Sequence, residues 1–313
     1  MISYEDLTAA IRTIQEGAGP ASPSGSVAMS SVPDVTVSMP AYNASAYIGA
    51  AIASVLRQEG VAFELIVVDD GSRDGTSDVV RNHDDPRVRL LVNPANRGIG
   101  HCHNAVLEHS RAPYICHLDA DDLLLPGALQ QAVEALRRSP NAGQAYALHY
   151  EVAEDGSISR ESFDVQTRFL LKRTAAMGDY RRDLVVHGMV ANPLRTYPRA
   201  VFDDVGRFDE ALPYGVDYEM TLRIADRYDM VCVPEFLYVQ RVHRANVQQN
   251  LRFRSLRFWW MRVGLCRRLL QSRRTLLARR RTAVYGLLGL SLLHVLRVPA
   301  LAKRVYRGRR APD

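Results

Sequence analysis

Three carboxylates stand together at Asp119, Asp121 and Asp122, where the apolar run Ala112–Leu118 ends. Crowded, unpaired carboxylates repel one another, and each raises the cost of ionising its neighbours. A hard divalent cation removes that cost, and Mg²⁺ or Mn²⁺ favours oxygen ligands shared with phosphates. If the run is a strand, residues two apart face the same way. Asp119 and Asp121 could then serve one site, with Ala120 turned away and Asp122 beginning the turn. An acidic loop that caps the following helix uses the same residues, and the cluster alone leaves both readings open.

Two more apolar runs end in polar signals. Val35–Met39 runs into Pro40-Ala41-Tyr42-Asn43, and Phe63–Val68 into Asp69-Asp70-Gly71-Ser72. Ligands of open α/β sheets bind beyond the carboxyl ends of the strands. Tyr42 could stack on a flat base, or be an aromatic on the rim. Asp70 could accept the imide N–H of a uracil, or cap a helix. Acids at three strand ends of one sheet are harder to assign to capping alone. Neither G-x-G-x-x-G nor G-x-x-x-x-G-K-[ST] follows the first strand. A phosphate would then be held by a metal with Arg or His, which points away from dehydrogenases and P-loop enzymes.

Strands and helices alternate through this part of the chain. Helices are predicted over Ala46–Leu56 (capped by Asn43 or Ser45), Thr76–Asn82, Gly98–Ser110 and Gly127–Arg138, and strands at Val88–Val92 and Ala145–Tyr150 as well as the runs above. Apolar strands alternating with helices predict a parallel α/β sheet buried on both faces. Met1–Gln15 could form a short helix, and Gly17–Pro33 reads as a flexible linker, so the folded body is expected to begin near Asp34. Beyond Tyr150 the alternation fails. Glu151–Met189 is polar, with a hairpin expected at Gly156. Helices at Arg199–Val205 and Tyr218–Arg227 and short strands at Met230–Val233 and Leu237–Arg241 are predicted.

The motifs Val37-Ser-Met-Pro-Ala-Tyr-Asn43, Val67-Val-Asp-Asp-Gly-Ser72, Asn96-Arg-Gly98 and Leu118-Asp-Ala-Asp-Asp122 come in an order that resembles the family-2 inverting glycosyltransferases. The likeness continues through Val205-Gly-Arg-Phe-Asp-Glu210 to Asp217-Tyr-Glu-Met220 and covers about Val35 to Asn246. It implies a GT-A, Rossmann-like mixed sheet flanked by helices, a nucleotide-diphosphate sugar donor (a UDP-sugar in the first instance) and a Mn²⁺ or Mg²⁺ cofactor. By the same resemblance Pro40, Ala41 and Tyr42 line the base pocket and Asp70 reads the uracil edge. Arg97 lies near the base or phosphates, Asp119 near the ribose, and Asp121 on the metal. Asp217 matches the general base, and His243 a late motif in which a histidine approaches the metal or diphosphate. Val216 stands where the family has Glu, which puts the tuning of the base in doubt. The Gln-x-x-Arg-Trp motif of processive synthases is missing, so a single transfer is expected. Nucleotidyl transfer and a nucleotide-sugar-binding scaffold without catalysis are the rival readings.

The chain has 313 residues and a net charge of +6, and 47% of its residues are hydrophobic. Leu251–Asp313 holds 17 of the 40 Lys and Arg residues and a single acid, leaving 23 bases against 33 acids elsewhere. Such a split suggests a polyanionic partner for the tail. Its arginines are interleaved with Leu, Phe, Trp259, Trp260 and Met261, which suits an interfacial helix on an anionic membrane better than nucleic acid. The expected organisation is a terminal helix and linker (1–33), a GT-A domain with nucleotide-sugar (34–150) and acceptor (151–250) halves, and a basic amphipathic helical appendage (251–313). With scattered cysteines, no signal peptide at the N-terminus and no apolar run of about 20 residues, the expected place is the cytoplasmic face of the membrane, close to saccharide or lipid-linked acceptors.

Overall fold

The computed structural model describes residues 2–16, 32–176, 193–213 and 215–243, together with Leu184 and Val263. The linker expected at 17–33 lies almost wholly outside these residues, as does the tail from 251 onward apart from Val263.

In chain order the described elements are α1 (Tyr4–Gln15), β1 (Val35–Ala41), α2 (Ile48–Leu56), β2 (Phe63–Asp69), α3 (Thr76–Arg81), β3 (Val88–Val92), α4 (Ile99–His109), β4 (Tyr114–His117), β5 (Leu123–Leu124) and α5 (Ala128–Arg138). Then follow β6 (Ala142–Ala153), α6 (Arg160–Ala176), β7 (Thr196–Pro198), α7 (Val201–Val205), α8 (Val216–Arg227) and β8 (Asp229–Val242). Eight strands form one sheet in the order β3-β2-β1-β4-β7-β6-β8-β5. β3, β2, β1 and β4 run parallel. β7 is antiparallel to both β4 and β6, while β6 and β8 pair in parallel. The sheet is therefore mixed, as the family resemblance implies, and not the all-parallel sheet that the alternation alone predicts. Two elements were too short to leave a periodic signal: β5, with two residues, and β7, with three.

β1 and β2 are buried along nearly their whole length. Apolar residues on both faces leave no polar stripe for water, which is why these segments read as continuous hydrophobic runs. β1 passes through Pro40 instead of stopping there. The Ala41 carbonyl accepts from Asp70 N on the β2 side at 2.8 Å, so Pro40 faces the β4 side. Pairing with β4 ends at Ser38↔His117, and the missing N–H is not called on.

Four further expectations are corrected. α2 begins at Ile48, and neither Asn43 nor Ser45 caps it, because both are bound into the neighbouring strand-end loop. Gly156 does not turn a hairpin. Its φ of 82° closes a tight turn between β6 and α6. The two short strands expected near the end are one strand, β8, whose register slips between Val233 and Phe236; a bulge there accommodates Pro234. Finally, α1 is part of the body's packing. Leu7, Ile11 and Ile14 are buried with Leu148, Tyr150, Phe163 and Phe236. Tyr4 Oη donates to the Ile158 carbonyl at 3.0 Å, and Gln15 Nε2 to that of Asp155 at 3.0 Å.

Of the described residues, those up to Val242, α1 included and Leu184 excepted, form one compact unit, and His243 belongs with a second.

Candidate active site

The carboxyl ends of β1, β2 and β4 carry the polar motifs, and hydrogen bonds join the first two loops. Asn43 (φ 50°) accepts from Arg73 N through Oδ1 at 3.0 Å and donates its own N–H to Ser72 Oγ at 2.9 Å. Ser45 N donates to Asp74 Oδ2 at 3.0 Å, and Ala44 N to Thr76 Oγ1 at 2.9 Å. Burial would push the Asp74 carboxyl upward, but the bonds donated by Thr76 and Ser45 outweigh it and hold the group at about 2. Asp69 accepts from Ser72 N at 2.9 Å and from the Ser77 hydroxyl. Tyr42 leaves this network with half its surface exposed (52%), while Ala41 is buried and Pro40 half-buried. An aromatic face held over a fixed backbone can receive a flat ring.

Asp70 is buried and already engaged. Oδ1 accepts from Asn93 Nδ2 at 2.7 Å and Arg97 N at 2.9 Å, and Oδ2 accepts from Gly98 N at 2.8 Å. It ties the loop before α4 to the end of β2. The Cys102 thiol also faces this carboxylate, so Asp70 can meet at most one further N–H. Gly71 makes this close approach possible. Its φ is +77°, and a Cβ there would lie 2.8 Å from the Ala95 backbone. The Arg97 side chain is 55% exposed and lies 3.9 Å from Glu210. Asn104 on α4 binds the Phe208 carbonyl at 3.0 Å and Glu210 Oε1 at 2.8 Å, which docks the Val205–Glu210 motif beside the same loop.

The acidic cluster divides. Asp122 is buried; Tyr238 Oη donates to it at 2.7 Å and Arg241 N at 2.9 Å. It fastens the turn after β4 to β8. Burial and the neighbouring Asp121 and Asp119 push its carboxyl well up. Asp119 and Asp121 are half-buried. Burial raises the Asp119 carboxyl to about 6, with Asp121 and Asp217 adding repulsion and Arg195 opposing it. Such crowding is what a cation relieves. Two carboxylates plus substrate phosphates and water are a sufficient set for Mg²⁺ or Mn²⁺, so Asp119 and Asp121 fit the expected ion. Among the described residues no three His, Cys, Asp or Glu side chains form a complete protein-only metal site. His243 follows β8 directly and is 6% exposed, in the second unit.

Asp217 is the second residue of α8. It is not the N-cap, a place taken by Gly215 at φ 73°. Its Oδ2 accepts from Arg195 Nη1 at 2.8 Å, and its Oδ1 from Tyr218 N at 2.8 Å. Arg195 is 5% exposed, immediately before β7. Val216 is 2% exposed and packs with Leu107, Ile115, Tyr197, Phe208 and Met220. The side chain at the position where the family has Glu therefore serves the core.

Sequence reasoning missed Arg195, Tyr238 and a histidine pair. His103 and His117 stack with ring centroids 3.7 Å apart, both buried, and His103 Nδ1 is 2.9 Å from Ser38 Oγ. Burial depresses both imidazoles, His103 to about 3. Arg195 stands alone between unrelated residues in sequence, and nothing about it signals its pairing. His117 directly precedes the Leu118–Asp122 motif and His103 lies on a helix, where a core imidazole has no pattern of its own.

Comparison with known proteins agrees with this architecture. The model of the family described as Glycosyl transferase family 2 matches residues 36–206. Chondroitin synthase of Escherichia coli is 24% identical over 249 residues, 77% of this chain but 34% of that protein, so the chain spans about a third of that relative. In fold, the mannosyltransferase PcManGT of Pyrobaculum calidifontis, solved with GDP-Man and Mn²⁺, matches with a TM-score of 0.61 at 20% identity, covering 98% of this chain and 88% of that one. TarS of S. aureus in complex with UDP-GlcNAc matches with a TM-score of 0.56 at 19% identity, covering 69% and 60%. With the family model spanning more than half of its length, this chain belongs to glycosyl transferase family 2.

Proposed function

We propose that the protein transfers a sugar, with inversion, from a nucleotide-diphosphate sugar to a hydroxyl of a saccharide or lipid-linked acceptor. The observation that carries this reading is one buried cation, Arg195, bonded to Asp217 and near enough to Asp119 for its charge to oppose the rise of that carboxyl. It supports reading the D-x-D carboxylates and the candidate base as parts of one site.

Asp121 would hold the ion, with Asp119, its partner in the D-x-D pair, toward the ribose. A bound Mn²⁺ or Mg²⁺ would neutralise charge growing on the leaving diphosphate. Pro40, Ala41 and Tyr42 receive the base, Asp70 accepts one N–H from it, and Arg97 approaches the phosphates. Asp217 takes the proton of the acceptor hydroxyl as that oxygen bonds to the anomeric carbon. The bond from that carbon to the diphosphate oxygen breaks, and its electron pair leaves with the diphosphate. One displacement inverts the centre. UDP is the nucleotide proposed, supported by the TarS complex with UDP-GlcNAc; the GDP-Man complex of PcManGT makes GDP the control.

A synthase of polysaccharide among the relatives supports a place in cell-surface polysaccharide or glycolipid assembly. The arginine-rich composition of 251–313 supports recruitment to an anionic membrane surface. No helix among the described residues is long and apolar enough to cross a membrane.

Incubating the protein with a panel of UDP- and GDP-sugars, with and without Mn²⁺, tests the proposal. Metal-dependent release of UDP, and a product of opposite anomeric configuration by NMR, is the expected result. Release of pyrophosphate would mean nucleotidyl transfer, and binding without turnover a scaffold.

A further inference from the structure

The base assigned above is half in water, and its partner is not. Asp217 is 34% exposed at its side chain and Arg195 6%. The Arg195 backbone is fixed as well: its carbonyl accepts from His117 N at 2.9 Å, against the end of β4. Both Asp217 oxygens have a donor, Arg195 Nη1 on Oδ2 and Tyr218 N on Oδ1. An outward swing of the carboxylate would break the charge-assisted bond to a buried guanidinium, which is strongly unfavourable.

We propose that Arg195 is the positioning residue of the proton transfer: it holds the Asp217 carboxylate in the one orientation in which it can accept the proton. The proposal rests on the reading of Asp217 as the base.

Among the described residues, Asp119 follows β4, Tyr197 lies on β7 and Tyr238 on β8, and all three interact with the charge of Arg195. His103 on α4 and His117 on β4 also feel it and are held neutral, chiefly by burial. Replacing the guanidinium removes the donor that fixes Oδ2 of Asp217. A lysine keeps the charge but loses the planar fork, so it restores part of the rate.

The test uses the full chain with saturating UDP-sugar, Mn²⁺ and acceptor, and compares Arg195→Lys, Arg195→Met, Asp217→Asn and the Arg195→Met/Asp217→Asn double variant. The expected result for Arg195→Met is a fall in kcat of roughly 100-fold, within the range of a general base. UDP affinity by calorimetry should change by less than about threefold. Arg195→Lys should recover part of the rate, with kcat down by roughly tenfold and UDP affinity again within about threefold. In the Asp217→Asn background, Arg195→Met should add less than about a threefold further loss. A fall in UDP affinity as large as the fall in kcat in Arg195→Met, or a full additional loss in the Asp217→Asn background, overturns the proposal. If Arg195→Met does not fold, Arg195→Lys decides: equal losses in kcat and UDP affinity overturn it, and a loss in kcat alone supports it. Should Asp217→Asn by itself retain more than about a third of turnover, the base assignment fails instead, whatever Arg195 does.

Discussion

The two sides of the site are held together by different physics. On the nucleotide side, strand-end loops are fixed by short carboxylates and amides bonded to backbone N–H groups of their own or neighbouring loops: Asp69 to Ser72, Asn43 to Arg73, Asp70 to Arg97 and Gly98. On the acceptor side, buried charged side chains are the anchors: Arg195 to Asp217, and Asp122 to Tyr238 and Arg241. The first kind of fixation is shared among many bonds and can be disturbed in small steps. The second depends on compensation between buried ions, so a single change leaves a charge stranded. A binding surface suits the first, and a proton-transfer site whose charge must be set suits the second.

The largest disturbance should come from forcing the family's residue into the acceptor side. Val216→Glu places a carboxylate among Ile115, Tyr197 and Phe208. A cost of roughly 3 kcal/mol or more is expected, seen as a fall in the urea midpoint without any gain in turnover. Unchanged stability with higher turnover would mean that this helix terminus can present the residue to the site after all.

Acid should come next. His103 titrates near 3 when folded, against about 6.5 in an unfolded chain. Between these values the unfolded state binds a proton that the folded state refuses. Stability contributed by the neutral imidazole is therefore whole above about pH 6.5 and is lost as pH falls toward 3. His117 adds to this in the same direction. Asp119, raised to about 6, works the other way and costs stability as pH rises. The clean readout is the difference between parent and His103→Leu: the parent's urea midpoint should drop more between pH 7.5 and 5 than the variant's. Parallel curves would contradict it.

Asp70→Asn keeps the shape and removes the charge and one acceptor oxygen from three donors. Bonds to a charged group are worth roughly 1.5 to 3 kcal/mol each, so UDP affinity should fall about tenfold or more as the loop before α4 loosens, with kcat at saturation reduced less. Affinity within twofold of the parent would remove Asp70 from both roles. The smallest effect should be that of Tyr42→Ala. An exposed stacking ring contributes about 0.5 to 1.5 kcal/mol, so a loss of threefold to tenfold in UDP affinity is expected, with stability unchanged.

The same contrast explains what could be read from the sequence. The strands at Val35 and Phe63 are legible because their apolar runs are buried along nearly their whole length, and the loops at their ends because Gly, Asn and Asp cluster there. The acidic cluster was legible as a cluster, but its division was not. Asp122 belongs to the structure because Tyr238 and Arg241, 116 and 119 residues away, claim its oxygens. Arg195 was illegible for the same reason, being one arginine among many whose partner is set by the meeting of β7 and α8. The antiparallel insertion of β7 escaped notice because three residues carry no period. Asp217 was found only by resemblance; as the second residue of a helix, an aspartate is ordinary.

The most direct test crosses the two sides. UDP affinity with and without Mn²⁺, by calorimetry, and turnover should be measured together on Asp121→Asn and Asp217→Asn. If the nucleotide side binds and the acceptor side moves the proton, Asp121→Asn abolishes the Mn²⁺-dependent part of UDP affinity. Asp217→Asn then keeps that affinity within about threefold while turnover falls by roughly 10²- to 10⁴-fold. Undiminished metal-dependent affinity in Asp121→Asn, or turnover in Asp217→Asn within about threefold of the parent, would contradict the account.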